Sequence, residues 1–228
     1  MEQLTAIPDS TLSPSNRSRL RVMLDRESEV RKRVFDVAVS AVLVPVALPI
    51  IGLAWLVSSL DTRANGFFVQ PRVGKGGRLF NCVKIRTMRH AGGIASNVTP
   101  ANDPRITRVG RVLRGLKIDE LPQLFHVLVG DMSMVGPRPD VPGFADRLVG
   151  DDRKLLTLKP GITGPASLKY RDEEQLLARQ VDPERYNREV IFPDKVRINL
   201  AYAENWSLMK DIGYIMHTVV PRRGKRAR

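Results

Sequence analysis

The sequence predicts a mostly helical α+β fold, in which a small folded body carries an N-terminal re-entrant membrane helix. Three observations support this fold class: an uncharged apolar run over residues 37–60, a two-strand pattern around glycines at 66–85, and apolar residues recurring every three or four positions at 105–117. The 228 residues suffice for one such body with an appendage.

The apolar run between Asp36 and Asp61 contains 24 uncharged residues. A straight helix of that length can cross a hydrocarbon layer of about 30 Å. The alternative is a buried core helix, but so long an apolar run is unusual in a soluble chain of this size. We therefore predict that residues 37–60 enter a membrane.

Pro45 and Pro49 lie in the middle of this run and predict a helix break, because proline removes a backbone donor and crowds the preceding turn. Basic residues flank both ends, at 31–33 and at 72–117, and lysine and arginine tend to remain on the cytoplasmic side. A helix over 31–61 that re-enters the same leaflet satisfies both flanks, so we prefer it to a span.

Residues 66–85 are predicted to form a β-hairpin, with strands over Phe67–Gln70 and Leu79–Ile85 joined by a glycine-containing turn. Lys84 and Arg86 alternate with apolar residues. Both cations therefore leave the same face of the second strand, where they are suited to bind one phosphate.

The charge distribution indicates an anionic partner. The chain carries 37 lysines and arginines against 24 aspartates and glutamates, a net charge of +13, and much of the excess lies between Arg72 and Lys117. Nucleic acid, an anionic phospholipid surface and a phosphorylated substrate all fit this charge. The single cysteine, Cys82, excludes an intrachain disulfide and a cysteine-based zinc site, and favours a reducing compartment.

Two further segments are typical of amphipathic interfacial helices. In residues 105–117 the basic positions flank an apolar strip, as in a helix that lies in the headgroup plane. Residues 212–228 join an apolar stretch to a basic tail. The alternative for both segments is a helix that packs on the core and leaves its arginines in solvent.

Adjacent carboxylates, Asp119 and Glu120, follow the most basic segment and precede an apolar helix that is predicted to start near Pro122. Such a pair can simply favour the positive end of a helix dipole. Beside cations, however, a carboxylate is expected to have a low pKa and to remain ionised, as a nucleophile or a Mg²⁺ ligand must.

The sequence resembles the bacterial sugar transferases, also called monotopic phosphoglycosyl transferases or polyprenyl-phosphate hexose-1-phosphate transferases. The resemblance runs from Lys32 to about Val219. It rests on motifs that occur in the family's order: 32-KRVFD, 70-QPRVG, 84-KIRTM, 103-DPRITRVGRVLR, 119-DELPQLFHVLVGDMSMVGPRP, 160-PGITG and 205-NWSLMKD.

The resemblance implies a small α/β catalytic body on the cytoplasmic face of the bacterial inner membrane. It implies transfer of a sugar-1-phosphate from a UDP-sugar to polyprenyl (undecaprenyl) phosphate, with release of UMP, at the start of surface glycoconjugate or exopolysaccharide assembly. The expected partners are these two substrates and anionic phospholipid, with Mg²⁺ as cofactor. Nucleic acid is not expected, and a homodimer is left open.

The resemblance also implies roles for individual residues. Asp119 matches the nucleophile and metal ligand, and Glu120 completes the catalytic dyad, where it assists acceptor attack or metal coordination. Lys84, Arg86 and Arg114 occupy positions suited to binding phosphate. The motif of Pro137, Arg138 and Pro139 matches an element that contacts the nucleotide. Pro49 aligns with a helix-breaking proline, and Pro45 is expected to support the break.

Residues 167–176 depart from the family pattern in a region expected to touch the sugar, and Leu48 stands where many relatives have serine. The expected organisation is a flexible tail with a short helix at 1–30, the re-entrant helix at 31–61, the transferase domain at 62–220 and a basic tail at 221–228. Two alternatives to the enzyme are a non-catalytic membrane scaffold of the same fold and a membrane-tethered nucleic-acid binder.

Overall fold

The computed structural model describes residues 14–89 and 99–220, with side chains from residue 27 onward. The predicted mostly helical fold with small sheets and one long apolar N-terminal helix is confirmed. The helices are α1 Pro14–Thr62, α2 Arg108–Gly115, α3 Gln123–Val129, α4 Pro165–Lys169, α5 Glu173–Ala178, α6 Pro183–Tyr186, α7 Phe192–Glu204 and α8 Leu208–Val219, and the strands are β1 Phe67–Val73, β2 Leu79–Ile85, β3 Ser133–Val135 and β4 Gly161–Thr163.

Helix α1 has one buried stripe and one apolar exposed face. The buried stripe recurs every three or four residues and consists of Asp36, Ser40, Val44, Ala47, Ile51, Ala54 and Ser58. The opposite face exposes large apolar side chains, among them Val42, Val46, Leu48, Leu53, Leu56 and Leu60. In the described part of the chain, residues Glu27–Thr62 form the one helix long and apolar enough to cross a membrane.

The helix continues through Pro45 and Pro49, so the predicted break is not seen as a loss of helical structure. Both proline rings lie on the exposed face, where they do not disturb the buried stripe. The short helix expected before residue 31 is also part of α1, which begins at Pro14. Residues 1–13 of the predicted tail lie outside the described residues.

The predicted hairpin is confirmed, with a longer first strand. β1 pairs antiparallel with β2 from Phe67 opposite Ile85 to Val73 opposite Leu79. The first strand extends three residues beyond its predicted end at Gln70, since Pro71, Arg72 and Val73 also lie opposite residues of β2. The turn places Gly76 and Gly77 at φ values of +73° and +79°, which glycine adopts most easily.

Helix α2 is shorter than the predicted 105–117 helix. Thr107 caps it by accepting a hydrogen bond from the Gly110 amide, so the residues before it are extended, and Ile106 forms a β-bridge with Met88. The apolar positions divide between two surroundings, since Leu113 is buried in the core whereas Val112 and Leu116 are exposed.

A core of buried apolar residues joins α1 to the hairpin, α2, α3 and the second sheet. It includes Val44 and Ile51 of α1 together with Ile85, Val127 and Val135. β3 and β4 form a parallel pair, Ser133 opposite Gly161 and Val135 opposite Thr163. The C-terminal helix α8 exposes Met209, Met216 and Val219, and the basic tail at 221–228 lies outside the described residues.

Candidate active site

The two adjacent carboxylates lie where the chain turns from α2 to α3. Lys117 adopts a left-handed conformation, φ +59°, and Ile118–Glu120 form a single 3₁₀ turn that ends just before α3. Both Asp119 and Glu120 are 7% exposed. Two acidic side chains are thus buried at the predicted helix start, which requires compensation by charges or hydrogen bonds.

Glu120 receives that compensation. The guanidinium of Arg138 donates from Nη1 to Oε2 at 3.1 Å and from Nη2 to Oε1, and the Lys84 Nζ lies 3.7 Å from Oε1. Burial alone would raise the pKa of Glu120, but the charges of Arg138 and Lys84 and the hydrogen bonds outweigh it and hold the pKa well below its usual range. Glu120 is therefore ionised at physiological pH.

Asp119 differs from its neighbour. Its Oδ1 is buried and has no hydrogen-bond partner within the described ranges. Burial and the adjacent charge of Glu120 raise the pKa of Asp119 to about 6, against the opposing effects of Lys84, Arg114 and Lys117. The expectation of a low pKa beside cations thus holds for Glu120 and is wrong for Asp119, because Lys84 and Arg138 pair with Glu120 and Arg114 pairs with Glu174.

The cations around the dyad are themselves crowded. Burial, together with the charge of Arg138, lowers the pKa of Lys84 to about 8, while the charge of Glu120 opposes the shift. The pKa of Arg138 is raised, chiefly by the charge of Glu120. An additional anion bound at this site would therefore favour the charged form of Lys84.

Arg114 lies near Asp119 but is held by a residue that the sequence did not identify. Its Nη2 donates to Oε1 of Glu174, in α5, at 2.5 Å, and its Nη1 donates to the Thr87 hydroxyl at 3.4 Å. Its Nε is buried without a partner in the described part of the chain. Glu174 is 60 residues away in sequence and lies in the 167–176 segment, so no local spacing could indicate this pair.

Lys84 and Arg86, which are predicted to bind one phosphate together, have different partners in the structure. Lys84 faces Glu120, whereas the Arg86 Nε donates to the Asn65 carbonyl at 2.7 Å and its Nη2 to the Phe67 carbonyl at 3.3 Å. Arg86 lies just beyond the end of β2, where it reaches back to the segment between α1 and β1.

The loop of Pro137, Arg138 and Pro139 is held by close backbone packing. The Gly161 amide donates to the Pro137 carbonyl at 2.7 Å, and a Cβ at Gly136 would lie 2.4 Å from the Lys159 carbonyl oxygen. A larger residue there would displace the loop. Arg72 supports the far side by donating from Nη1 to the Pro139 carbonyl at 3.0 Å.

Asp140 follows this loop and is a half-buried acid. Burial raises its pKa to about 6, and the charges of Lys195 and Arg72 oppose that rise. Sequence reasoning did not single out Asp140, because its cationic neighbours come from β1 and α7.

The 32-KRVFD motif ties α1 to this site. Asp36 accepts a hydrogen bond from the Met134 amide at 3.0 Å, and Arg33 donates to the carbonyls of Val127 and Leu128 at the end of α3. Lys32 pairs with the fully buried Asp211 of α8 at 2.5 Å. The charged positions of the motif thus fasten the base of the apolar helix to the folded body.

The residues at the dyad fit a metal ion that is bound chiefly by substrate. No group of three or more histidine, cysteine or acidic side chains in the described ranges is placed to hold a metal. The Asp119 carboxylate can supply one ligand, whereas both oxygens of Glu120 are occupied by cations. Mg²⁺ commonly takes one or two carboxylates and completes its shell with phosphate oxygens and water.

Residues 27–222 match the bacterial sugar transferase family. The chain belongs to this family. It is 36% identical over 199 residues to the UDP-glucose:undecaprenyl-phosphate glucose-1-phosphate transferase of Caulobacter vibrioides, an alignment covering 84% of this chain and 69% of that protein. It is 34% identical over 216 residues to the undecaprenyl-phosphate galactose phosphotransferase of Salmonella typhimurium, covering 87% of this chain and 42% of that protein.

A putative undecaprenyl-phosphate N-acetylgalactosaminyl 1-phosphate transferase of Bacillus subtilis is 40% identical over 136 residues, covering 54% of this chain and 76% of that protein. The chain therefore spans most of some relatives and less than half of others. These relatives carry names with three different sugars, so family membership identifies a sugar transferase without fixing the hexose. Family membership does not favour either alternative to an enzyme, the membrane-tethered nucleic-acid binder or the non-catalytic membrane scaffold.

Proposed function

We propose that this sugar transferase is a phosphoglycosyl transferase that moves a sugar-1-phosphate from a UDP-sugar to polyprenyl phosphate through a covalent intermediate on Asp119. The observation that supports this most is the contrast within the dyad. Glu120 is saturated by Arg138 and Lys84, while the buried Oδ1 of Asp119 is unpartnered within the described residues and close to cationic side chains. A nucleophile needs a free oxygen, and phosphoryl transfer needs positive charge around it.

In the first step, Oδ1 of Asp119 attacks the β-phosphorus, and the bond from that phosphorus to the oxygen bridging the two phosphates breaks. The electron pair leaves with UMP. Arg114, whose Nε has no hydrogen-bond partner in the described part of the chain, would donate to phosphate oxygens. Mg²⁺, held by Asp119 and the diphosphate, would neutralise charge on the reacting phosphates.

Glu120 acts in this scheme as a positioning residue. Its low pKa makes it a poor proton acceptor, and both its oxygens bind cations. It therefore holds Arg138 of the PRP loop in a fixed orientation, from which that guanidinium can contact the nucleotide. A polyprenyl phosphate is largely dianionic near pH 7, since the second pKa of a phosphate monoester is about 6, so its attack does not require a strong base.

We also propose that α1 is a one-leaflet anchor on the cytoplasmic face of the bacterial inner membrane. Both ends of its apolar segment are tied to the same body: Asp36 binds the Met134 amide, and Ser58 donates to the Arg86 carbonyl at 2.5 Å. A helix that spanned the bilayer would place these ends on opposite sides. Because the helix is continuous through Pro45 and Pro49, re-entry would be made by bending or shallow burial rather than by an unwound turn.

The reaction is tested with Asp119→Asn in a donor-only assay. With a UDP-sugar and Mg²⁺ but no acceptor, the unsubstituted enzyme should release about one UMP per active site, because the covalent intermediate cannot turn over. The variant should release none. Asp131→Asn, at a half-exposed carboxylate beyond α3, is the matched control and should release UMP normally. Near-normal release by the Asp119 variant would contradict the proposed nucleophile.

The anchor is tested with epitope tags in intact cells. A tag placed before Arg31 and another placed after Val220 should both be protected from external protease. Cleavage of only one tag would show that the flanks lie on opposite sides, and α1 would then be a spanning helix.

A further inference from the structure

The junction between α1 and β2 is built around Arg86. Ser58, near the end of the apolar segment, donates to the Arg86 carbonyl, and the Arg86 side chain donates to the carbonyls of Asn65 and Phe67. Its guanidinium carbon lies 5.6 Å from the centre of the Phe68 ring. The backbone and the side chain of Arg86 are therefore both held in place where α1 meets the end of β2.

Arg86 differs from the other cations of the site in its partners. Lys84 and Arg138 contact Glu120, and Arg114 contacts Glu174. Across residues 27–89 and 99–220, the polar partners of Arg86 are backbone carbonyls, which carry no net charge. A guanidinium has five N–H donors, of which two are used here, so donors remain for an anion.

Arg86 also lies close to Lys84 along the chain and beside the end of the apolar helix. It follows Lys84 by two residues, so the two Cα atoms are about 7 Å apart. The next residue, Thr87, accepts a hydrogen bond from Arg114. On the other side is the end of α1, where Trp55 and Leu60 are exposed. A phosphate bound at Arg86 would therefore lie within one strand repeat of Lys84, and an attached apolar chain would lie beside the exposed face of α1.

We propose that Arg86 binds the phosphate of the lipid acceptor, whereas Lys84 serves the donor diphosphate. This inference rests on the proposed function. A phosphate monoester on a long apolar chain must approach from the membrane, and Arg86 combines spare donors with a position beside the end of the apolar helix and two residues from Lys84. An acceptor oxygen then bonds to the phosphorus held on Asp119, and the Asp119–phosphorus bond breaks, returning its electron pair to the carboxylate.

The experiment separates the two half-reactions in Arg86→Met. The donor-only UMP burst should keep its rate and amplitude, because the proposal assigns Arg86 to the acceptor and not to the donor. With undecaprenyl phosphate in detergent, the KM for the acceptor should rise about ten- to hundredfold, the range expected for loss of a charged hydrogen-bonding partner. Arg86→Lys, which keeps the charge, should lie between. Arg78→Met, at an exposed position of the hairpin turn, is the matched control and should leave both measurements unchanged.

Two results would overturn the assignment. Loss of the UMP burst in both Arg86 variants would place the residue at the donor or in the fold, whereas loss in the unsubstituted enzyme as well would contradict the covalent reaction itself. Binding to phosphatidylglycerol vesicles without acceptor is measured in parallel. If Arg86→Met weakens vesicle binding as much as it raises the acceptor KM, the residue recognises lipid headgroups in general and not the acceptor.

Discussion

Replacing Asp119 by asparagine should remove activity and at the same time stabilise the folded protein at neutral pH. The carboxylate is ionised only at a cost in the folded state, because burial and the charge of Glu120 raise its pKa from 3.8 to about 6. Asparagine has the same shape without the charge. Since Oδ1 has no hydrogen-bond partner in the described ranges, the substitution breaks no contact at that atom.

The size of the effect follows from the pKa. Raising the pKa of Asp119 from 3.8 to about 6 corresponds to about 3 kcal/mol of free-energy difference between its charged and neutral forms. A carboxyl with a raised pKa in the folded state binds its proton more tightly when folded, so its ionisation destabilises the protein as the pH rises from about 4 through about 6. Above that pH the variant should be more stable by up to about 3 kcal/mol, or about 6–12 °C in Tm for a chain of this length.

The assay is thermal unfolding of the detergent-solubilised protein and of Asp119→Asn at pH 4.5 and pH 7.5. The advantage of the variant should be large at pH 7.5 and should shrink at pH 4.5. Glu120→Gln is the paired comparison and should destabilise by about 2 kcal/mol, since it breaks the charged hydrogen bonds with Arg138. Equal stability of Asp119→Asn and the unsubstituted protein at both pH values would refute the argument that Asp119 is ionised against its surroundings.

Three further substitutions test separate parts of the structure. Glu174→Gln should lower the KM for the UDP-sugar about two- to fivefold in steady-state UMP assays, because Arg114 loses a competing carboxylate that the diphosphate must otherwise displace; an unchanged or higher KM would contradict this competition. Val46→Lys, on the exposed face of α1, should cost about 3 kcal/mol of membrane affinity and shift the protein to the soluble fraction, while Val181→Lys, at an exposed loop position, should not. Asp211→Asn should destabilise the protein by about 3 kcal/mol in chemical denaturation, because it removes the buried carboxylate that the side chains of Lys32, Tyr202 and Trp206 share; an unaltered midpoint would show that this network contributes little.

Local sequence patterns predicted the parts of the structure that depend on neighbouring residues. The hairpin followed from alternation and glycines, and the position of Asp119 and Glu120 just before a helix followed from Pro122 and the apolar run after it. Ion pairs across the chain could not be predicted. The partner of Arg114 is Glu174, and that of Lys32 is Asp211, 179 residues away, because both pairs are made by tertiary packing of separate helices.

The protonation of the dyad was predicted only in part, for a related reason. Cations near a carboxylate lower its pKa only if they are not already neutralised, and the sequence does not show which acid each cation serves. In the structure Arg138 and Lys84 both contact Glu120. The pKa of Asp119 is therefore set mainly by burial and by the negative charge of Glu120, and both raise it.

This division of charge gives the two acids opposite tasks. The ion pairs with Glu120 fix the orientation of Arg138 and keep Glu120 ionised beside Asp119. This negative neighbour raises the pKa of Asp119, so the nucleophile ionises less readily until a positive charge binds nearby. Mg²⁺ entering with the donor diphosphate would supply that charge and lower the pKa of Asp119 at the moment of attack. The rate of the donor-only UMP burst should therefore fall as the pH drops through about 6 at limiting Mg²⁺, and the midpoint of that fall should move to lower pH as Mg²⁺ is raised. A midpoint that is independent of Mg²⁺ would show that ionisation of Asp119 and metal binding are not linked.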